Sequence, residues 1–284
     1  MGKAYKRDIT HDNINTKHRS MEVYSLADHT RQVFKMKKVE LARGIYQFIF
    51  EPTAQFQYGN NIVAVLRGKK ALLIDAGLEF QMAEVAEELN RDGIYVEGVI
   101  LSHFHQGHVR GIKALQGVTI YGSCYYRQTL ELWCPPEEWN YYTPTIQVGK
   151  GKRIKYGSHV IELLSNPGQT ICTLMVRIDE EFLYIADELT YSSDSVLVLP
   201  RVTKDNLINH YVSVYNLAKY SNATIIPGHG RAITDSERIE KDIDDVCQYL
   251  CEIISHDEVL SVEQATSKCA CCFLHTEWHQ NAYH

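Results

Sequence analysis

Three histidines stand within six residues in Ser102-His103-Phe104-His105-Gln106-Gly107-His108, directly after the apolar run Gly98-Val99-Ile100-Leu101. Imidazole binds divalent ions readily, and the run before it has the composition of a buried strand. Alternate residues at the end of a strand share a face, so His103 and His105 point to one side, and the start of a helix brings His108 in from below. A metal site is built in this way.

The segment resembles the signature of the metallo-β-lactamase superfamily of metallo-hydrolases, H-x-H-x-D-H. His103, His105 and His108 match its histidines, and Gly107 stands where the family has an aspartate. Further segments continue the resemblance in order. Asn166-Pro167-Gly168-Gln169-Thr170 is similar to the family's T-P-G-H-T, with Gln169 in place of a metal-binding histidine. Ala186-Asp187-Glu188 matches the G-D segment with its bridging aspartate, and Pro227-Gly228-His229-Gly230 matches P-G-H-G without change. Scattered core histidines do not reproduce such an ordered series.

Carried over residue by residue, the resemblance implies a first metal on His103, His105, Asp187 and the amide oxygen of Gln169. It implies a second on His108, His229 and Asp187. Asp75, at a strand end before Ala76-Gly77, takes the family's supporting role: it holds the metal loop by hydrogen bonds and does not bind the ion. Zinc is the first expectation for the cofactor, as one or two ions, while the neutral oxygen of Gln169 also suits iron or manganese. Gly107 leaves an anionic position open, and Glu188, next to Asp187 in the sequence, is the candidate carboxylate to fill it. Tyr191, four residues after Asp187, is a candidate hydrogen-bond donor to a developing oxyanion.

These residues need elements to position them. Strand-like runs cover Gly44 to Phe50, Asn61 to Leu66, Ala71 to Ile74, Val96 to Leu101 and Val118 to Tyr121, with a helical pattern from Gln81 to about Asn90 and a short helix from Val109 to Leu115. The second half repeats the strand pattern with a hairpin of Lys152 to Tyr156 and His159 to Ser165, then Cys172 to Ile178 and Glu181 to Ile185. A helix follows over Lys204 to Tyr220, a strand over Ala223 to Ile226 and a last long helix from Ser236 to about Ser255. The alternation is that of layered α/β architecture. With the resemblance it predicts a four-layer αββα sandwich of two mixed β-sheets flanked by helices. Between the halves, the aromatic stretch Tyr125 to Tyr142 around Pro135-Pro136 is either a packed surface excursion or dimer contact, or an apolar wall over the site. In the second case Trp139 and Tyr142, with Gln169, are the substrate-contacting residues.

The 284 residues are 45% hydrophobic, enough for one large core, and divide into a polar arm over 1–35, the main domain over 36–255 and a Cys/His-rich tail over 256–284. Twenty-nine basic against 35 acidic residues leave a net charge of -6, which offers no footprint for duplex nucleic acid. The histidines of the arm, His11, His18 and His29, have no ligand-like spacing. No apolar run is long enough for a membrane span or a signal peptide, so a cytoplasmic location is expected, with the eight cysteines as reduced thiols. In the tail, Cys269, Cys271 and Cys272 with His275 and His279, together with Cys247 and Cys251, are either incidental thiols or a thiolate-rich zinc site.

The functional expectation is a metal-dependent hydrolase of a small ester, thioester or lactone, acting through metal-activated water. The alternatives are a catalytically degenerate small-ligand-binding protein and a nucleotide phosphodiesterase. A small-molecule substrate and a homodimer complete the expected partners.

Overall fold

The computed structural model describes residues 36–52 and 59–284; the arm predicted over 1–35 lies outside them. Seven strands form the first sheet: β1 (Met36–Ala42), β2 (Ile45–Phe50), β3 (Asn61–Arg67), β4 (Lys70–Ile74), β5 (Tyr95–Ile100), β6 (Thr119–Ser123) and β7 (Ile146–Val148), hydrogen-bonded in that order. β1 to β4 are antiparallel and β4 to β7 parallel. Five strands form the second, in the order β12-β11-β10-β9-β8: β8 (Gly151–Tyr156), β9 (His159–Ser165), β10 (Leu174–Ile178), β11 (Phe182–Tyr184) and β12 (Thr224–Ile226). Only β11 and β12 run parallel there. The helices are α1 (Glu79–Arg91), α2 (Gln106–Val109), α3 (Tyr126–Leu130), α4 (Trp139–Tyr142), α5 (Leu207–Leu217), α6 (Ser236–Ile254) and α7 (Val262–Ala265).

The period-two geometry of strands explains how one sequence fills three cores. In β3, Val63 and Val65 face the second sheet while Ile62 and Ala64 face α1. In β4, Leu72 and Ile74 divide from Ala71 and Leu73 in the same way. The inter-sheet core joins these to Ile161, Leu163, Leu174, Val176 and Tyr184 of the second sheet. Outside the second sheet, α5 and α6 pack with Leu183, Ile185 and Ile225. The result is the predicted αββα sandwich of two mixed sheets. Strands buried on both faces read as continuous apolar runs, which is why they were visible in the sequence.

Some elements are shorter or more irregular than their patterns suggest. The helix expected from Val109 to Leu115 is α2 followed by a 3-10 turn over Arg110–Ala114, and the Lys204 to Tyr220 helix is α5 with a 3-10 turn at each end. The aromatic stretch is irregular: Pro135 and Pro136 break it between α3 and α4. The tail packs its Leu260, Ala265, Phe273 and Ala282 into the core of α5 and α6. His279 has both ring nitrogens engaged, on the Tyr249 hydroxyl and the Leu260 carbonyl, and His275 Nδ1 pairs with Glu277. All eight cysteines are free. No helix among the described residues is long and apolar enough to cross a membrane.

Candidate metal centre

The parallel strands deliver the site. Asp75 follows β4, His103 follows β5, Asp187 follows β11 and His229 follows β12, so four functional side chains sit at the carboxyl ends of strands in both sheets. Ligand sites in α/β folds form at such edges. His105 is the residue before α2 and His108 lies within it, buried.

Four imidazoles gather around one carboxylate. Asp187 Oδ1 lies 3.3 Å from His108 Nε2 and 3.3 Å from His229 Nε2, and its Oδ2 lies 3.5 Å from His103 Nε2. His103 Nε2 and His105 Nδ1 are 3.1 Å apart. Among the described residues, the groups with ligand atoms close enough to hold an ion are His103, His105 and Asp187; His108, Asp187 and His229; and Asp75, His103 and His108.

The outward ring nitrogens are anchored, which aims the inner ones. His229 Nδ1 donates to the Gly59 carbonyl at 2.7 Å; a carbonyl only accepts, so this nitrogen carries a proton, and Nε2 is turned toward Asp187. His108 Nδ1 is 2.7 Å from Asp75 Oδ2, and His103 Nδ1 is 3.0 Å from Ser102 Oγ. Asp75 is fully buried and also accepts from the Ser102 amide, the Ser102 hydroxyl and the Tyr184 hydroxyl. Its carboxylate is thus spent on orienting the histidine turn, the arrangement by which metal sites fix their ligands.

The electrostatics follow from crowding and burial. Burial and the neighbouring His103 drive His105 down to about 3, leaving a neutral ring. Burial and His108 likewise lower His103. Burial opposes the charge on His108, but the carboxylates of Asp187 and Asp75 overcome it and push this ring up to about 10. Asp187 is held well below the usual carboxylate range: burial opposes ionisation, and His108, His229 and His103 outweigh it. Without an ion, a proton on His108 compensates the buried carboxylates.

The donor set fits a metal on two observations. Asp187 Oδ1 is buried among the imidazoles without a hydrogen bond, and Gln169 Oε1 is likewise buried and unpartnered. Unpaired buried oxygens are costly, and an ion among the imidazoles would satisfy Asp187 Oδ1, while Gln169 Oε1 lies on the wall of the same cavity. The backbone accommodates this crowding in two places. Ala186, just before Asp187, has φ 52°, a left-handed conformation that costs about 1–2 kcal/mol in a residue with a β-carbon. At Gly228 a β-carbon would lie 2.6 Å from Asp187 Oδ1 and 3.0 Å from His108 Cε1, so glycine lets the His229 loop close on the site.

The cluster forms the floor of a cavity of about 860 Å³, lined also by Asn60, Gln169, Leu132, Trp133, Ile171 and Arg201. Several residues singled out in the sequence are not brought to it. Glu188 turns the other way, taking the Ser213 hydroxyl at 2.5 Å and lying 3.2 Å from His210 Nδ1; it does not fill the position opened by Gly107. Tyr191 is packed in the core of the second sheet with its hydroxyl on Asp242, so it has no access to a developing oxyanion. Tyr142 is fully buried behind Trp133, at 5.3 Å between ring centres, and Trp139 is fixed on the Cys134 carbonyl beneath Arg127. The aromatic stretch does supply an apolar wall, through Leu132 and Trp133. Gln169 reaches the cavity, with its Nε2 donating to the Arg201 carbonyl. Asn60, Arg201 and the tail residues Asn281 and His284 also line it; no local pattern singles them out, because only long-range packing brings them there.

Solved structures similar to this chain include metallo-beta-lactamases. The DIM-1 enzyme aligns with a TM-score of 0.60 at 16% identity, over 75% of this chain and 96% of its own. The enzyme from Pontibacter korlensis aligns with a TM-score of 0.62 at 14% identity, over 75% of this chain and 99% of its own. TMB-1 aligns with a TM-score of 0.60 at 22% identity, over 78% of this chain and 99% of its own. At such identities the likeness shows the fold. No curated protein matches the chain by sequence. Residues 56–229, which run from before β3 to the last histidine of the cluster, match the family profile of the metallo-beta-lactamase superfamily, and the chain belongs to that superfamily.

Proposed function

We propose that this protein is a metal-dependent hydrolase of a small ester, thioester or lactone. The observation that carries the reading is the convergence of His103, His108 and His229 on the Asp187 carboxylate, whose Oδ1 is buried without a hydrogen bond at the floor of the cavity. His103, His105, Asp187 and the Gln169 amide oxygen would hold one ion, and His108, His229 and Asp187 a second. Bound there, a divalent ion supplies Lewis acidity and lowers the pKa of water toward neutrality. Zinc suits the imidazoles, while the amide oxygen favours manganese or iron more than a third imidazole on that ion would.

The protein's own groups account for the rest. Asp75 holds His108 and the Ser102 turn in register, and the neutral rings of His103 and His105 offer lone pairs without competition from protons. Leu132, Trp133 and Ile171 give an apolar wall for an acyl or ring portion. A small substrate agrees with this volume.

The test is metal content by elemental analysis on protein grown with zinc, manganese or iron, followed by assay against aryl esters, acyl thioesters, lactones and a bis-aryl phosphate. Metal with ester, thioester or lactone turnover supports the proposal. Metal without turnover on any of these would move the protein to the ligand-binding reading, and turnover of the phosphate alone would make it a phosphodiesterase.

A further inference from the structure

Gly107 stands where the family motif places an aspartate, yet the space beside it is filled. A β-carbon at Gly107 would meet Asn60 Oδ1 at 3.0 Å and Asn60 Nδ2 at 3.5 Å. Asn60 is only 4% exposed, and it borders the cavity together with His108, Asp187 and His229.

Its orientation follows from donor and acceptor chemistry. The backbone amide of Leu78 can only donate, and it does so to Gln81 Oε1 at 2.8 Å, which identifies that atom as the carbonyl oxygen. The Asn60 atom 3.0 Å from the same oxygen must therefore be the NH2 group. The carbonyl oxygen of Asn60 is consequently the atom turned toward Gly107. The start of β3 holds it there: Gly59 accepts from His229 Nδ1 at 2.7 Å, and the Asn61 amide donates to the Gly228 carbonyl at 2.8 Å. The residues on either side of Asn60 are thus bonded to the His229 loop, while its side chain abuts the residue preceding His108.

We propose that Asn60 is a metal ligand that nothing in the motif indicates: its carboxamide oxygen replaces the missing aspartate oxygen for the ion held by His108, His229 and Asp187. The inference rests on the metal-hydrolase reading above. It makes the two departures from the motif parallel, because Gln169 likewise carries an unpartnered amide oxygen at the same cavity. Each half of the site then exchanges a family ligand for a neutral oxygen, a change that weakens zinc binding relative to manganese or iron. It also removes one negative charge beside Asp187.

The experiment uses the full chain, stripped of metal and titrated with zinc and with manganese against a chromophoric chelator, and with cobalt for its visible spectrum. The variants are Asn60→Ala, Asn60→Asp and Asn60→Ala combined with Gly107→Asp. The wild type should take two ions. Asn60→Ala should weaken the second ion about tenfold or more and alter the cobalt spectrum, with the first ion unaffected. Asn60→Asp should tighten the second ion, and adding Gly107→Asp to Asn60→Ala should restore it. Melting of the metal-free proteins measures the structural part, since Asn60→Ala also loses the bond to Gln81, and a lowered metal-free Tm with both affinities kept would leave Asn60 only that structural role. A wild type that takes a single ion, or Asn60→Ala with both affinities intact, overturns the assignment of Asn60. If Asn60→Ala does not fold, an unchanged second affinity in Asn60→Asp overturns it equally. A wild type that takes no ion under any condition removes the hydrolase reading itself.

Discussion

On one side of Asp187, His103 and His105 leave the chain two residues apart, on the turn after β5, with their rings at 86° and 4.8 Å. On the other, His108 and His229 come from opposite ends of the domain and meet because the loops after β5 and β12 close on each other across the two sheets. The first side is local and opens to the cavity through the half-buried His105. The second is buried, and Asp75 and the Gly59 carbonyl hold its outward ring nitrogens. A ligand pair set by one turn needs little beyond the turn itself. A pair assembled across sheets depends on a supporting layer, and there the charged network is concentrated.

The change with the largest expected effect abolishes the comparison by removing what both sides share. Asp187→Asn should cost metal binding on both sides and lower kcat/KM by a thousandfold or more, given that a single preorganised electrostatic group is worth about a hundred to a thousandfold. Elemental analysis and steady-state kinetics measure it, and a variant with full metal content would show that the carboxylate is not the common ligand.

Asp75→Asn separates the two sides. It should weaken the ion at His108 and His229 by about 10- to 100-fold and the one at His103 and His105 less, because Asp75 touches His108 directly and reaches His103 only through Ser102. Competition titration reads this directly, and an equal loss at both would mean that the supporting layer serves the whole turn.

The proton on His108 sharpens the contrast further. Its pKa in the folded, metal-free chain is raised from 6.5 to about 10, against the cost of burial, by Asp187 and Asp75. A raised value stabilises the fold fully below pH 6.5, and the contribution is lost as pH rises through 10. Metal-free protein should therefore lose Tm between those limits, on the order of 5 °C, and metal uptake at pH 7 should release a proton. Metal-loaded protein should lack this loss, because the ion takes the place of the proton. Calorimetry across pH tests both halves of the statement.

The smallest effect belongs to the cavity wall. Trp133→Ala should raise KM for substrates with an apolar acyl group by several-fold, with kcat nearly kept, as expected for binding shared by ground and transition states. The Trp133 indole also donates to the Phe104 carbonyl inside the histidine segment. A fall in kcat as large as the rise in KM would therefore show that this wall also positions His103 and His105.

Much of the fold was legible because β3, β4 and β5 are buried on both faces and read as short apolar runs between turn residues. The histidine turn, Asp187 and the unaltered Pro227-Gly228-His229-Gly230 were legible for a related reason: each is a local segment with its chemistry written in neighbouring residues. Glu188 and Tyr191 show the limit of that proximity. Both lie close to Asp187 in sequence, yet after β11 the chain turns with Ala186 at positive φ and sends them to Ser213 and Asp242. Trp139 and Tyr142 were chosen for composition, which does not tell a wall from the support behind it.

By itself the sequence determined the fold class, the four histidines and the shared aspartate, because strand periodicity and short motifs are properties of neighbours along the chain. It could not say what stands beside Gly107. Asn60 arrives there from the start of β3, oriented by Gln81 of α1 and flanked by bonds to the loop after β12. A contact made by three separate elements exists only once the sheets have packed, since which side chain fills a gap is decided by register and packing.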